Sequence, residues 1–525
     1  MNARRVVFNV SALEKAASAA VGANKVLSIK KFRESLTRDF HCVFDNGKEA
    51  VVRIPTPLAG PPHLTTASEV ATMDFLRRLH LPVPRVLAWN SRAHSSEVGV
   101  EYIVMETGQG GGPVFDEKAW EEVEDKLGEA TSPFIQALSD TLRPLADLRF
   151  KYHGSIYYKA DVPSGMKSYG DFLLDGAPSG VDLSPFVVGP SVHREFWEGD
   201  RATLAIDRGP WTSALDNLQA IVAREQRWLE GGFAKPSLDD HYLCVLPTQK
   251  VEDHLRTLDH YKTILPCITP TDGVLDSGRL WHPNLRLEDV SFKVAPDSSS
   301  VEILSLTNWT GAIVGPSFVN VKVPPFLYHP QAAFPGNRDE LAQPLNDGMS
   351  AEEVEKAKQL NLKVAMHRLF EDVTYPGMVG VPIRDYAATS ALRTMGSTWK
   401  AGLINARYFL SQMTIVDWPT YSPNPCPVKL SPSEIKLAMT TISYYSEEIA
   451  FWMAISIECE VDEQGFFDFH NGLRDTAKFE RTKAWLVDAE KDFVAAVPGD
   501  ERKRAFLWPY RESMQDHPRS HLVDF

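Results

Sequence analysis

At 525 residues the chain has room for three or four domains of roughly 150 residues each, or for one large two-lobed enzyme with extensions. Its residues are 43% hydrophobic, 24% charged and 10% aromatic, which is ordinary globular composition and excludes global disorder. Lys plus Arg number 55 against 69 Asp plus Glu, a net charge of −14 that excludes a dominant footprint on nucleic-acid phosphates and leaves only a local basic groove open. The five cysteines are scattered and never spaced as CxxC, so neither a disulfide framework nor a thiolate zinc site is signalled and a reducing compartment fits. The longest apolar run, Ile449 to Ile457, falls far short of the about 18 residues a membrane span needs, so a soluble, cytoplasmic protein is expected. Arg4, Arg5, Lys15, Lys25, Lys30, Lys31 and Arg33 face only Glu14 near the start, a pattern that also fits a mitochondrial leader. The stronger reading is a folded beginning, because Ser11 to Glu14 has the capping-box form ahead of a helical run from Ala12 to Ala20.

From Val26 to Pro55 the residues read as three strands, VLSIKKF, DFHCVF and EAVVRIP, with Asn46-Gly47 marking a hairpin between the last two. Thr66 and Glu69 then form a second capping-box pattern, followed by Val70, Met73, Leu76 and Leu79 at helical spacing. Two more strand-like runs, PRVLAW and EYIVME, lead to the glycine cluster Gly108 to Gly112. That order predicts a β-rich lobe over 1–107, closed by a flexible connection.

Beyond it, helical patterns dominate 108–525: AWEEVEDKLGEA, FIQALSDTLRPLADLRF and WTSALDNLQAIVAREQRWL, then a mostly helical region over 351–525. Tyr152 to Pro210 is rich in Gly, Pro and Ser and reads as a long loop, of the kind that is functional or packed on a surface. VSFKVA and VEILSLTNW form a β-like pair around a turn at Pro296 to Ser300. Trp309, Phe326 and Tyr328 suit either a core or a ligand cleft.

A β-rich lobe, a hinge and a helical lobe with a polar motif ahead of a small hairpin is the layout of an α+β, two-lobed protein kinase-like fold. The chain resembles the fungal aminoglycoside phosphotransferase-type proteins, a group that includes the altered-inheritance-of-mitochondria proteins. The resemblance runs through AVGANKVLSIKKF, TTASEVATMDFLRRLHLPVPRVLAW, GVEYIVMETGQGG, YHGSIYY, VGPSVHREFW, DRGPW, LWHPNLRLEDV and LTNWTGAIVGPSF, in that order.

The resemblance implies ATP and Mg²⁺, held by a phosphate loop, a strand cation with an acidic partner, a catalytic carboxylate and metal ligands. It places the phosphate loop at Lys31 to Asp39, where Ser35 and Leu36 stand in place of glycines, so ATP binding is expected to be weak. The strand cation corresponds to Arg53 and its partner to Glu69, although Glu69 equally suits a capping partner of Thr66. The catalytic loop corresponds to 281–290: His282 is followed by Asn284 where the pattern has Asp, and by Asp289 where it has Asn. At 307–309 the second metal ligand is Asn308, again exchanged for the usual Asp. Asn284 orients but takes no proton, while Asp289 and Asn308 together still offer one carboxylate to a cation. Arg286 suits a phosphate contact or an ion pair, and Glu288 is expected to be exposed.

Elsewhere the signals are weaker. The Gly108 cluster lacks Gly-Lys-Ser/Thr and reads as a linker; Asp239-Asp240-His241 and Asp259-His260 lack a closed ligand set and read as surface residues. Three functions are therefore open: an ATP- and Mg²⁺-dependent small-molecule phosphotransferase; a non-catalytic pseudokinase binding a partner or small ligand; and a cleft redirected to acyl or aminoacyl transfer from an activated donor, as in specialised metabolism. The altered loop, base and metal positions favour the last two.

Overall fold

The structure, a computed structural model, describes residues 5–107, 117–175, 179–234, 250–297, 299–329, 348–374, 386–443 and 491. The glycine cluster at 108–112, Asp239 to His241 and the helical patterns beyond 443 lie outside the described residues, Lys491 apart.

The chain opens with α1 (Val10–Val21). Its N-cap is Asn9, whose side chain accepts the Ala12 N–H at 3.1 Å, and Gly22 at φ 67° closes it. Ser11 therefore lies inside the first turn and is not the cap: the Asn9 backbone N–H is anchored on the Val98 carbonyl at 3.0 Å, which fixes the helix entry ahead of Ser11. The three expected strands are β1 (Val26–Glu34), β2 (Thr37–Phe44) and β3 (Glu49–Pro55), with Gly47 at φ 76° in the Asn-Gly turn. After α2 (Leu64–Arg78) come β4 (Val86–Asn90) and β5 (Tyr102–Glu106). The five strands form one antiparallel sheet in the order β1-β2-β3-β5-β4. Leu13, Ala17 and Val21 of α1 pack with Phe44, Val52 and Val104 from the sheet, while Ile103 and Met105 join the core of Phe75 and Leu76 on α2.

The second expected capping box is not formed. His63, at φ 66°, stands at the N-cap of α2 without a side-chain bond, and the Thr66 hydroxyl donates instead to Glu101 Oε2 at 2.5 Å. Glu69 is left free to face Arg53.

The two helical patterns after the linker are one helix, α3 (Glu117–Asp147), which carries Pro133 and Pro144 inside it. It is followed by β6 (Arg149–Phe150), β7 (Ser155–Tyr158), β8 (Leu173–Asp175), β9 (Phe186–Gly189), α4 (Ala214–Glu230) and α5 (Val251–Ile268). Then come β10 (Gly278–Trp281), β11 (Val290–Val294), β12 (Val301–Leu306) and β13 (Ile313–Pro316). β13, β10, β6 and β8 form a four-stranded sheet, β11 and β12 pair as the expected hairpin, and β7 pairs with β9. That last pair organises the loop-rich stretch. Gly154 exchanges backbone hydrogen bonds with Val314 at 2.9 and 2.7 Å and passes so close to Gly189 that a Cβ there would overlap the Gly189 carbonyl oxygen. Phe134, Phe150, Phe186, Trp309 and Phe370 fill the core beneath, and the helix Ala351–Thr374 reaches α3 through Ser139 and Thr374, 2.7 Å apart. The fold is thus α+β and kinase-like, with an antiparallel sheet lobe and a core that presents a loop and hairpin to it.

Two compact units divide the chain: Met1–Arg224 with Thr269–Thr389, and Glu225–Ile268 with Ser390–Phe525. In the second, Tyr261 donates to the Ala406 carbonyl at 2.6 Å and His254 lies 4.9 Å from the Trp399 ring. Among the described residues, neither ring nitrogen of His254 has a hydrogen-bond partner, and no helix is long and apolar enough to cross a membrane. Burial, aided by Arg407 and opposed by Asp253, pushes the His254 pKa down to about 4. The unfolded chain therefore takes up a proton between about pH 6.5 and 4 that the native chain refuses, and stability is lost as pH falls through that window. Replacing His254 with Phe is expected to reduce the loss of stability between pH 7 and pH 5 by about 2 kcal/mol, measured by urea unfolding at the two pH values.

Candidate functional site

Strand register builds the site. Across the tight β1–β2 turn Arg33 lies opposite Asp39, and across the Asn-Gly hairpin Asp39 lies opposite Arg53. Directly opposed residues of an antiparallel sheet point to the same face, so cation, anion and cation stand side by side on one rung. Thr37 holds the central carboxylate with a 3.1 Å bond to Asp39 Oδ1.

Arg53 is 2% exposed, and its guanidinium is enclosed. Nε and Nη2 grip the two Asp39 oxygens at 2.9 and 2.6 Å, while Nη1 donates to Glu69 Oε1 at 2.5 Å and to Thr310 Oγ1 at 3.3 Å. Thr310 in turn donates to Glu69 Oε2 at 2.7 Å. Burial opposes the charge, but Asp39 and Glu69 outweigh it and hold the Arg53 pKa above its ordinary value. Of the two readings of Glu69, the Arg53 partner is the one present.

Arg33 is the second cation. Its Nη1 donates to Asp289 Oδ1 at 2.9 Å, its Nη2 donates to the Glu288 carbonyl at 3.0 Å, and Glu288 Oε1 lies 3.8 Å away. Asp289 is buried, and its other oxygen, Oδ2, accepts the Arg286 N–H at 3.0 Å, closing the short 3₁₀ turn Leu287–Asp289. Burial raises the Asp289 pKa, with Arg33 and the Arg286 N–H working against it. Glu288 is half-buried rather than exposed, because Arg33 and Arg286 both approach it, each at 3.8 Å. Arg286 itself is the ion-paired, solvent-facing residue that one of its two readings describes.

His282 donates from Nε2 to the Thr307 carbonyl at 2.9 Å and meets the Trp309 ring edge-on at 4.6 Å. Burial pushes its pKa down to about 4, so it is neutral near pH 7 and ties the loop to the hairpin. Thr307 N–H donates to the Asp289 carbonyl at 2.9 Å, which leaves Asn308 at the corner with φ 66°. Asn tolerates this left-handed conformation better than most side chains. Among the described residues, the half-buried side chains of Asn284 and Asn308 make no hydrogen bond. A cavity of about 40 Å³ lies beside the loop, lined by Leu142, Arg279, Trp281, His282, Leu285 and Lys322. Each water needs at least about 10–15 Å³ of such space, so the cavity holds a few waters and no nucleotide.

These contacts allow a test of the two implied ligands. A divalent cation needs free oxygens, and both oxygens of Asp289 are engaged; among the described residues no group of three His, Cys, Asp or Glu gathers to hold a metal. A strand cation that binds nucleotide phosphate keeps its acidic partner but has donors to spare, whereas Arg53 also gives Nε and Nη2 to Asp39 and is enclosed. In this arrangement the residues fit neither group. Sequence reasoning missed Arg33, Asp39 and Thr310. The first two were within reach, because the two turns alone set the rung, whereas Thr310 is brought in by the fold.

The subtelomeric hrmA-associated cluster protein of Aspergillus fumigatus (strain CBS 144.89) is 29% identical over 514 residues, covering 89% of this chain and 93% of that protein. Altered inheritance of mitochondria protein 9, mitochondrial, of Komagataella phaffii is 29% identical over 183 residues, covering 33% of this chain and 29% of that protein. Among solved structures, the macrolide 2'-phosphotransferase of Brachybacterium faecium, an apoenzyme, aligns over 79% of this chain and 99% of its own at 12% identity, with a TM-score of 0.31. No family model matches the chain. The chain is thus similar both to a fungal cluster protein and to the altered-inheritance proteins.

The buried cluster gives a direct expectation. Arg53→Met leaves Asp39 and Glu69 facing each other unpaired and is expected to cost about 3–5 kcal/mol by urea unfolding. Replacing Asp39, Arg53 and Glu69 together with apolar residues should cost less than Arg53→Met alone, since no charge is then stranded.

Proposed function

We propose that the chain is a kinase-fold protein that works by binding and carries out no ATP-dependent phosphoryl transfer. The observation that carries this reading is the enclosure of Arg53, whose Nε, Nη1 and Nη2 are all committed to Asp39, Glu69 and Thr310. Phosphoryl transfer rests on positioning and charge stabilisation, so a strand cation that cannot reach a phosphate removes a principal contribution. Asn284 adds to this, since its amide cannot accept the proton of an attacking hydroxyl. The loop between β1 and β2 supports the same reading: with Ser35 and Leu36 at the turn it lacks the glycines that let backbone N–H groups approach phosphate oxygens. Arg53, Glu69, His282, Asn284, Asp289 and Asn308 then serve as the framework of a non-catalytic cleft, with Arg53, Glu69 and Asp289 holding it together. The partner class this suits is a protein or small ligand that is bound and released unchanged.

The experiment measures ATP consumption with Mg²⁺ across a panel of amino-alcohols and amino acids. The native chain is expected to show no turnover above background. The combined variant Asn284→Asp, Asp289→Asn, Asn308→Asp is expected to stay inactive as well, because Arg53 remains enclosed. Native turnover at about 1 s⁻¹ or faster would establish a phosphotransferase and overturn the reading. Calorimetric titration supplies the second arm: Mg·ATP binding at a Kd of a few micromolar, roughly −8 kcal/mol, would show that the altered loop is compensated.

A further inference from the structure

The place at which the resemblance implies a divalent cation is the carboxylate of Asp289, and there the structure holds a guanidinium. Arg33 Nη1 lies 2.9 Å from Asp289 Oδ1, its Nη2 lies 3.0 Å from the Glu288 carbonyl oxygen, and Glu288 Oε1 is 3.8 Å away. These are three oxygens of one loop, two of them from carboxylates, converging on a single positive group. Hard cations select an oxygen set of this kind. We propose that Arg33 is the resident cation of this site: it takes the position of a divalent metal ion, neutralises Asp289 from within the chain and straps β1 to the loop at 282–289.

Three further features support this. Asp289 is 1% exposed, so its charge needs a partner on the inside, and the Arg286 N–H that binds its other oxygen is dipolar and supplies no net charge. Arg33 is aimed by its register, opposite Asp39 on the rung whose far end is Arg53. Asp39 gives both of its oxygens to Arg53, so Arg33 is not drawn back into the sheet and its guanidinium is available to the loop. Planar and always charged, an arginine can bridge a carboxylate and a neighbouring carbonyl at once, which a lysine ammonium does less well. The counterpart is that metal is kept out by the chain's own sequence: binding a cation at Asp289 requires Arg33 to leave.

This inference rests on the binding-only reading of the cleft, and its test is made without nucleotide so that the two stand or fall separately. Mn²⁺ alone is titrated into the full-length native chain, Arg33→Ala, Arg33→Gln, and Arg33→Ala combined with Asp289→Asn, with free Mn²⁺ followed by electron paramagnetic resonance. The native chain is expected to bind no Mn²⁺ below millimolar concentration. Arg33→Ala is expected to gain one site at least tenfold tighter than the native chain, and the Asp289→Asn change is expected to abolish it. Arg33→Gln keeps a polar side chain against the loop without the charge; it is expected to show the same gain and stands in if the alanine variant does not fold. Native binding of Mn²⁺ in the micromolar range overturns the proposal. So does a folded Arg33 variant, with a native-like melting curve, that binds Mn²⁺ no better than the native chain. ATP turnover by the native chain would defeat the binding-only reading and leave the metal titration to be judged by itself.

Discussion

The candidate site hangs on one rung of a β-sheet. Arg33, Asp39 and Arg53 stand abreast on three adjacent strands, and the central carboxylate commits both oxygens to one neighbour. That asymmetry decides the rest. Arg53, taken by Asp39, turns to Glu69 and Thr310 and becomes an internal strut; Arg33 extends to Asp289 and becomes a bridge. Charges this deeply buried are tolerated only when matched and hydrogen-bonded, so the arrangement leaves little freedom to any one member.

Around the rung, neutral contacts do the positioning. His282 and Thr307 join the loop to the hairpin, Trp309 is fully buried beneath them, and the Leu306 N–H donates to the Pro82 carbonyl at 2.7 Å. The loop is thereby held to the core on one side and to the sheet by Arg33 on the other. Asn308 turns the corner at positive φ without a side-chain bond among the described residues. The carboxylate at 289 and the amide at 308 are therefore not equivalent in place: the carboxylate sits against Arg33, and the amide sits where a left-handed backbone is needed.

Much of this was legible in the residues. Alternating apolar runs and Asn46-Gly47 mark β1 to β3 with their register, and the β11–β12 pair follows from the turn at 296–300. Glu69 shows the limit of local reasoning. Its spacing from Thr66 suits a capping box as well as it suits a cross-element ion pair, and only the burial of Arg53 settles which is formed. Ser11 fails for a similar reason, since Asn9 is an equally good cap and is anchored from the turn that precedes β5, far along the chain. Pro133, between the two helical patterns, hid the continuity of α3, because proline ordinarily interrupts a helix; Pro144 lies within the second pattern and the helix runs through both. Thr310 carried no signal at all, being a threonine made important by what lies across from it.

The sequence separations within the charge cluster differ sharply. Arg53 meets Asp39 over 14 residues and Glu69 over 16, whereas Arg33 meets Asp289 over 256. During synthesis at about 5–20 residues per second, the first set is complete almost as soon as α2 has emerged, while Arg33 waits on the order of 10–50 s for its counterpart. The early lobe can thus mature with no charge stranded in its interior, its outermost arginine resting in water until the loop arrives. Closing the strap is a late event in the birth of the chain.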